Sequence, residues 1–161
     1  MEPPARLYLF TLEVTPLEVG SVYNPLPSHL TLISRFYTSA TPEHIADNVN
    51  HLFASTKPLA LVFDGSAMIG PKHTAVHLIQ QSAELKRLHV QLADILSRIG
   101  VDYTQPDYIR QGWKPHVSRR EADGFMPGNT HITTAAYLIE VDKQGDSHLR
   151  TIRKKYSLAG E

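Results

Sequence analysis

An apolar stripe between Ser82 and Gly100 constrains this chain more than any other feature. Leu85, Leu88, Leu92, Ile95, Leu96 and Ile99 recur at helical spacing, with Ser82 placed to cap the first turn and Gly100 to end the last. A helix with one apolar face must lay that face on another element. The element before it supplies one: Leu59 to Ile69 and His73 to Gln80 are β-rich runs around the breaker Gly70-Pro71, which predicts a hairpin. A second hairpin, Ile132 to Val141 with His148 to Leu158, turns about Gln144-Gly145-Asp146. Hairpins pair antiparallel, so helices packed on them predict an α+β fold.

The rest of the chain fills in around these. Arg6 to Val14 reads as a first strand. The segment from Thr15 to Ser28, with Pro16, Gly20, Pro25 and Pro27, reads as a loop, because its prolines cannot donate to a ladder. A second strand runs from His29 to about Tyr37. Thr41-Pro42-Glu43 opens a helix whose Ile45, Val49, Leu52 and Phe53 share a face, ending near Ser55. Val101 to Trp113 predicts a short strand and a loop carrying aromatics, Glu121 to Asn129 a second loop. A chain of 161 residues, 42% of them hydrophobic, suits one domain over residues 1–161, or two small lobes sharing a core.

Within this frame one pattern carries chemistry. In Pro27-Ser28-His29-Leu30-Thr31-Leu32-Ile33, alternation puts His29, Thr31 and Ile33 on one strand face and Leu30 and Leu32 on the other. Pro115-His116-Val117-Ser118 repeats the pairing of imidazole and hydroxyl. With nine histidines and 23 serines or threonines, about 1.3 such triplets are expected by chance, and three are present, so His131-Ile132-Thr133 competes with the other two. Context separates them. The first two each follow a proline-marked loop, open an alternating run and lie half a chain apart. Singly, each histidine would read as a strand residue hydrogen-bonded at a sheet edge; the repeat reverses that, while His131, at a strand start after Gly128-Asn129, is expected to be structural.

The two motifs resemble those of the 2H phosphoesterase superfamily, which includes 2′-5′ RNA ligase-like proteins and cyclic nucleotide phosphodiesterases. His29-Leu30-Thr31-Leu32 matches the first closely. The second has Ser118 where Thr is commoner and Arg119 where an apolar residue is commoner, while Lys114-Pro115-His116 and the following hairpin fit the family's second half. The resemblance covers nearly the whole chain. It implies a two-lobed fold, with antiparallel sheets lining a central cleft and helices outside.

The chemistry implied is metal-independent and needs no cofactor. Opening a phosphodiester ring requires a base for the attacking oxygen, an acid for the leaving oxygen and donors for the non-bridging oxygens. His29 and His116 suit both proton roles, each worth about 10² to 10⁴ in rate, and Thr31 and Ser118 supply the donors. The resemblance implies His116 as base and His29 as acid; the residues themselves leave that assignment open. Tyr23, Phe36, Tyr103, Tyr108 and Trp113, in or near the loops flanking the motifs, can stack on a base or pack in the core. Arg35, Lys114, Arg119 and Arg120 can place positive charge near a phosphate, although Arg119 alternates away from His116. His73 and His77 share a strand face in this reading, either exposed or lining the cleft, where they can contact phosphate or base; as metal ligands they lack companions. His44, His51, His89 and His148 read as solvated, and Arg150, Arg153, Lys154 and Lys155 as a solvated strand face.

Charge and composition then bound the partners. Sixteen basic and sixteen acidic residues give zero formal charge, which argues against long duplex nucleic acid and leaves a small nucleotide or short oligonucleotide. No cysteine means no disulfide framework and no thiol nucleophile. Met1-Glu2-Pro3-Pro4 opens no signal segment and no run reaches a membrane span, so a cytoplasmic, monomeric protein without membrane contact is expected. The leading function is a phosphoesterase for a 2′,3′-cyclic phosphate or 2′-5′ linkage, with ligation as the reverse reaction. Alternatives are degradation of a cyclic oligonucleotide signal, including viral defence evasion, a non-catalytic nucleotide or RNA binder, and a metal-dependent hydrolase built on His73 and His77.

Overall fold

Both helices begin and end where local chemistry dictates. In the computed structural model, which describes residues 4–118, 130–144 and 147–161, α1 (Pro42–Ala54) is capped by the Thr41 hydroxyl, which accepts from the His44 N–H at 3.1 Å. Ser82 does the same for α2 (Ala83–Ile99), accepting from Leu85 at 3.2 Å. Gly100 closes α2 at φ 92°, a left-handed conformation that a side chain would strain. Both predicted helices are therefore present.

The strands are β1 (Arg6–Glu13), β2 (Val22–Tyr23), β3 (His29–Thr38), β4 (Leu59–Ile69), β5 (Thr74–Ile79), β6 (Asp102–Tyr103), β7 (His116–Ser118), β8 (Thr130–Thr133), β9 (Ala135–Gln144) and β10 (Ser147–Ser157). They form one antiparallel sheet in the order β2-β10-β9-β1-β3-β7-β5-β4-β8, with β6 beside β3. The expectation of separate sheets is corrected here. Leu30 of β3 pairs with Val117 of β7, and this contact joins the two halves into a continuous ladder.

Alternation along β1 shows what each face does. Tyr8, Phe10 and Leu12 enter the main core, where they meet Ile45, Val49 and Phe53 of α1 and Leu85, Leu88, Leu92 and Leu96 of α2. Phe10 packs 6.0 Å from Phe36 and 5.9 Å from Phe53. Leu7 and Leu9 point the other way, into a smaller cluster with Tyr137, Ile139 and Ile152 that Leu17 and Leu26 of the 15–28 loop cover. Both helices thus lie on one face, and the other remains only partly roofed.

Three differences from the strand predictions have local causes. First, β3 carries two irregularities against β1. Leu32 and Ile33 together oppose Phe10, so Ile33 is fully buried in the main core and does not share the His29 face. Second, the predicted strand from Ile132 is two: β8 pairs with β4, and β9 pairs with β1 and β10. No glycine or proline marks that switch; the Thr134 carbonyl accepts from Leu158 at 2.8 Å instead. Third, the 15–28 loop contains β2, paired with β10 through Tyr23 and Arg150. The turn of the last hairpin, Gly145 and Asp146, lies outside the described residues, as does the predicted loop from Glu121 to Asn129. Among the described residues no helix is long and apolar enough to cross a membrane.

Candidate active site

The register at the centre of the sheet assembles four side chains from two motifs that lie 87 residues apart in sequence. Leu30 and Val117 face each other and are both fully buried in the main core. Continuing that antiparallel register by one residue each way sets His29 opposite Ser118 and Thr31 opposite His116, all on the other face and all partly exposed. Directly opposed Cβ atoms lie about 5 Å apart and diagonal ones about 7–8 Å. The two imidazoles therefore occupy opposite corners of a small quadrilateral, with a hydroxyl beside each, a spacing that admits one phosphoryl group.

Each imidazole is held the same way. His29 Nδ1 lies 2.8 Å from the Pro27 carbonyl, and His116 Nδ1 lies 2.8 Å from the Lys114 carbonyl. A carbonyl only accepts, so both Nδ1 atoms carry hydrogen and Nε2 is the nitrogen whose proton can change. Lys114, which supplies the carbonyl for His116, is held extended by the proline that follows it, whereas in the first motif Pro27 itself supplies the carbonyl.

Support from below is concentrated on β3 and corrects two expectations. His89 is fully buried, not solvated. Its Nδ1–H donates to the Leu32 carbonyl at 2.8 Å, and its Nε2 accepts from the Arg110 N–H at 2.8 Å. The ring stacks on Trp113 at 4.1 Å and 5°. Trp113 in turn donates from Nε1 to the Thr31 carbonyl at 3.2 Å and is 6% exposed, so it holds the backbone of the site and offers no open face to a base. Burial, more than the neighbouring Arg110 charge, pushes the His89 pKa down, and this keeps the ring neutral in its two-bond arrangement. Helical periodicity contained the signal: position 89 lies between Leu85, Leu88 and Leu92 on the buried stripe, with Ala93.

A second network flanks His29. Glu13 of β1 is its cross-strand partner and accepts the Tyr137 hydroxyl, while the same hydroxyl accepts from the Leu17 N–H at 3.1 Å. Burial first, then the bond to Glu13, pushes the Tyr137 pKa up to about 12, so the phenol stays protonated and donates. Nothing in the residue pattern had singled out Glu13 or Tyr137.

The other candidates separate. Arg35 stands on the site face, because Ser34 and Arg35 jointly oppose Leu9 at the second irregularity of β3. Lys114 is exposed beside His116. His73 is a turn residue at φ 50°, not a strand residue, and His77 opposes Val117 and meets Phe63 edge-on at 5.8 Å, so the two share no face and His77 lies behind the site. Tyr23 packs on the smaller cluster, its hydroxyl accepting from Glu18 at 3.1 Å. His131 opposes Leu61 at the far edge strand. Phe36 is in the core, and Tyr103 donates to the Ala93 carbonyl at 3.0 Å; Tyr108 remains 48% exposed. Arg153 and Lys154 pair with Glu140 and Glu43. Arg119 and Arg120 lie outside the described residues, among which no three His, Asp or Glu gather as a metal site. A groove of about 450 Å³ between the helices, lined by His44, Asn48, Ile95, Arg98 and Ile99, is remote from the four-residue site.

Comparison with known proteins decides the family. The model of the 2′-5′ RNA ligase superfamily matches residues 12–123, a span that includes both histidine strands. The chain belongs to this superfamily. Its fold is shared with solved structures: a phosphoesterase (TM-score 0.62, 16% identity, 95% of this chain and 98% of that one), TT0787 of Thermus thermophilus (0.62, 17%, 96% and 99%), and E. coli LigT complexed with 3′-AMP (0.61, 17%, 96% and 98%). No curated protein matches. Membership of the superfamily makes this chain a relative of phosphoesterases, and the likeness in structure extends over nearly its whole length.

Proposed function

We propose that the chain is a metal-independent phosphoesterase acting on a 2′,3′-cyclic phosphate or 2′-5′ linkage of a nucleotide or short oligonucleotide, as a monomer with one two-lobed domain over residues 1–161. The observation carrying this reading is the quadrilateral of His29, Thr31, His116 and Ser118, with both Nδ1 atoms held by carbonyls, so that proton exchange falls to the Nε2 atoms. E. coli LigT has been solved with 3′-AMP, ATP and NADP+, which supports a nucleotide in the corresponding cleft.

In hydrolysis, His116 Nε2 takes a proton from water as the water oxygen bonds to phosphorus. One ring P–O bond breaks, and His29 Nε2–H protonates the departing ribose oxygen. Thr31 and Ser118 donate to the non-bridging oxygens, where charge builds. The test is a panel of 2′,3′-cyclic nucleotides, 2′-5′ oligonucleotides and cyclic oligonucleotides, run with EDTA. Turnover of a cyclic phosphate or 2′-5′ linkage that survives EDTA is expected; loss on chelation with recovery on zinc or manganese overturns the scheme.

A further inference from the structure

Two strands carry the four-residue site, and β7 is tied to its neighbours unequally. On one side it pairs with β5 at three positions, and the Ile79 N–H donates to the Pro115 carbonyl at 3.0 Å. Toward β3, among the described residues, the backbone register is the single pair of Leu30 with Val117. One pair leaves two strands free to pivot about it, whereas a working site holds its groups to within about 0.5 Å. A side chain supplies the second tie. The Trp113 indole donates from Nε1 to the Thr31 carbonyl at 3.2 Å, in the first motif. The main chain of the same residue leads directly to Lys114, whose carbonyl accepts from His116 Nδ1 at 2.8 Å in the second. Trp113 therefore spans both motifs.

The segment that delivers this indole is bent and pinned. Arg110 adopts φ 66°, the left-handed region that a residue with a side chain seldom enters. Its N–H donates to His89 Nε2 at 2.8 Å and its guanidinium to Asp94 of α2 at 2.5 Å. Gly112 passes so close to Asp107 that a Cβ there would stand 1.7 Å from the Asp107 carbonyl oxygen. The Trp113 N–H donates back to the Arg110 carbonyl at 3.2 Å, and the ring lies flat on His89. Backbone strain persists where surrounding bonds over-determine it, and it gathers at functional sites. Here the bonds converge on one orientation of one indole. Trp113 is buried away from the site face, so its influence on a reaction there passes through Thr31 and His116.

We propose that Trp113 is a positioning residue: its indole N–H, held on the Thr31 carbonyl, sets the separation at which His29 and His116 share one phosphoryl group. This rests on the function proposed above for the His29–His116 site, but the geometry can also be read without turnover. Trp113 is the one tryptophan of the chain, so supplying 3-benzothienylalanine during expression replaces its N–H by sulfur at that position alone, in a ring of nearly the same shape. 4-Fluorotryptophan, which keeps the N–H, is the conservative control, and Trp113→Phe is a genetic variant that also lacks the donor. With a 2′,3′-cyclic mononucleotide, the sulfur analogue and Trp113→Phe are expected to lower kcat by about 10–100-fold, the scale of a displacement near 1 Å. KM should stay within about twofold, Tm should fall by no more than a few degrees, and the fluorinated protein should keep the parent kcat. The vanadate ester of adenosine, whose five-coordinate vanadium resembles the reacting phosphorus, should bind the sulfur analogue more weakly by a similar factor. A sulfur analogue with kcat within twofold of the parent, or a loss carried by KM or Tm in place of kcat, overturns the positioning role. A wild type that binds the vanadate ester in a manner dependent on the indole N–H, but turns over no cyclic phosphate or 2′-5′ linkage, overturns the proposed function and leaves the positioning role standing. A wild type that does neither overturns both.

Discussion

The two histidine strands are alike at the imidazole and unlike everywhere else. His29 and His116 make the same 2.8 Å bond from Nδ1 to the carbonyl two residues before. Around His29, however, β3 runs ten residues, is flanked by β1, β6 and β7, and rests on the His89–Trp113 stack. β7 is described over His116–Ser118, and among the described residues its neighbours are β3 and β5. What the two share is therefore what the chemistry requires: face, Nδ1 partner and adjacent hydroxyl. What differs is the scaffolding that holds each strand.

Perturbing both sides equally should give matched losses. Thr31→Val and Ser118→Ala are each expected to lower kcat by about 10², the size of one lost charge-stabilising donor, with folding retained. Rates within twofold of the parent for either would remove that hydroxyl from the mechanism. Perturbing only the β3 side comes next. His89→Ala strands the Leu32 carbonyl and the Arg110 N–H and leaves a void beside Trp113, so a loss of about 2–4 kcal/mol is expected, read as a Tm lower by about 5–15 °C. An unchanged Tm would show that β3 needs no such prop.

A smaller, pH-dependent effect separates the same two sides. Because the His89 pKa is lowered in the folded state, the unfolded chain takes up a proton first as pH falls. Its contribution to stability is complete above about pH 6.5 and is lost as pH drops from there toward the folded pKa. Calorimetry between pH 8 and 5.5 should show a steeper fall in Tm for the wild type than for His89→Gln; parallel curves would mean that another group governs the slope.

Much of this was legible from residues alone, for reasons that also explain the failures. The caps at Thr41 and Ser82 and the stop at Gly100 are local signals and appeared where expected. The His29 and His116 motifs were legible because period-two alternation fixes a face without knowledge of the partner strand. Alternation failed at Ile33, where β3 inserts an extra residue against β1. It also failed at Thr134, where one run is shared between the edge strand β8 and β9, which lies between β10 and β1. His89 was misplaced because a polar label outweighed position on the helix, and for Trp113 stacking on a base and packing in the core were left open together: their polar atoms are satisfied by backbone groups distant in sequence, which no window reveals. Glu13 and Tyr137 are 124 residues apart, and only the sheet order brings them together.

The central claim is that His29 and His116 act as one unit on one face, and the most direct measurement is a double-mutant cycle in kcat with a third histidine as control. His29→Ala and His116→Ala should each cost at least about 10², at an unchanged Tm. The double variant should lose far less than the product of the single losses, as groups that act together do, and His131→Ala, at the far edge strand, should stay within a few fold of the parent. Single losses that simply multiply, or an inactive His131→Ala beside an active His116→Ala, would contradict the account.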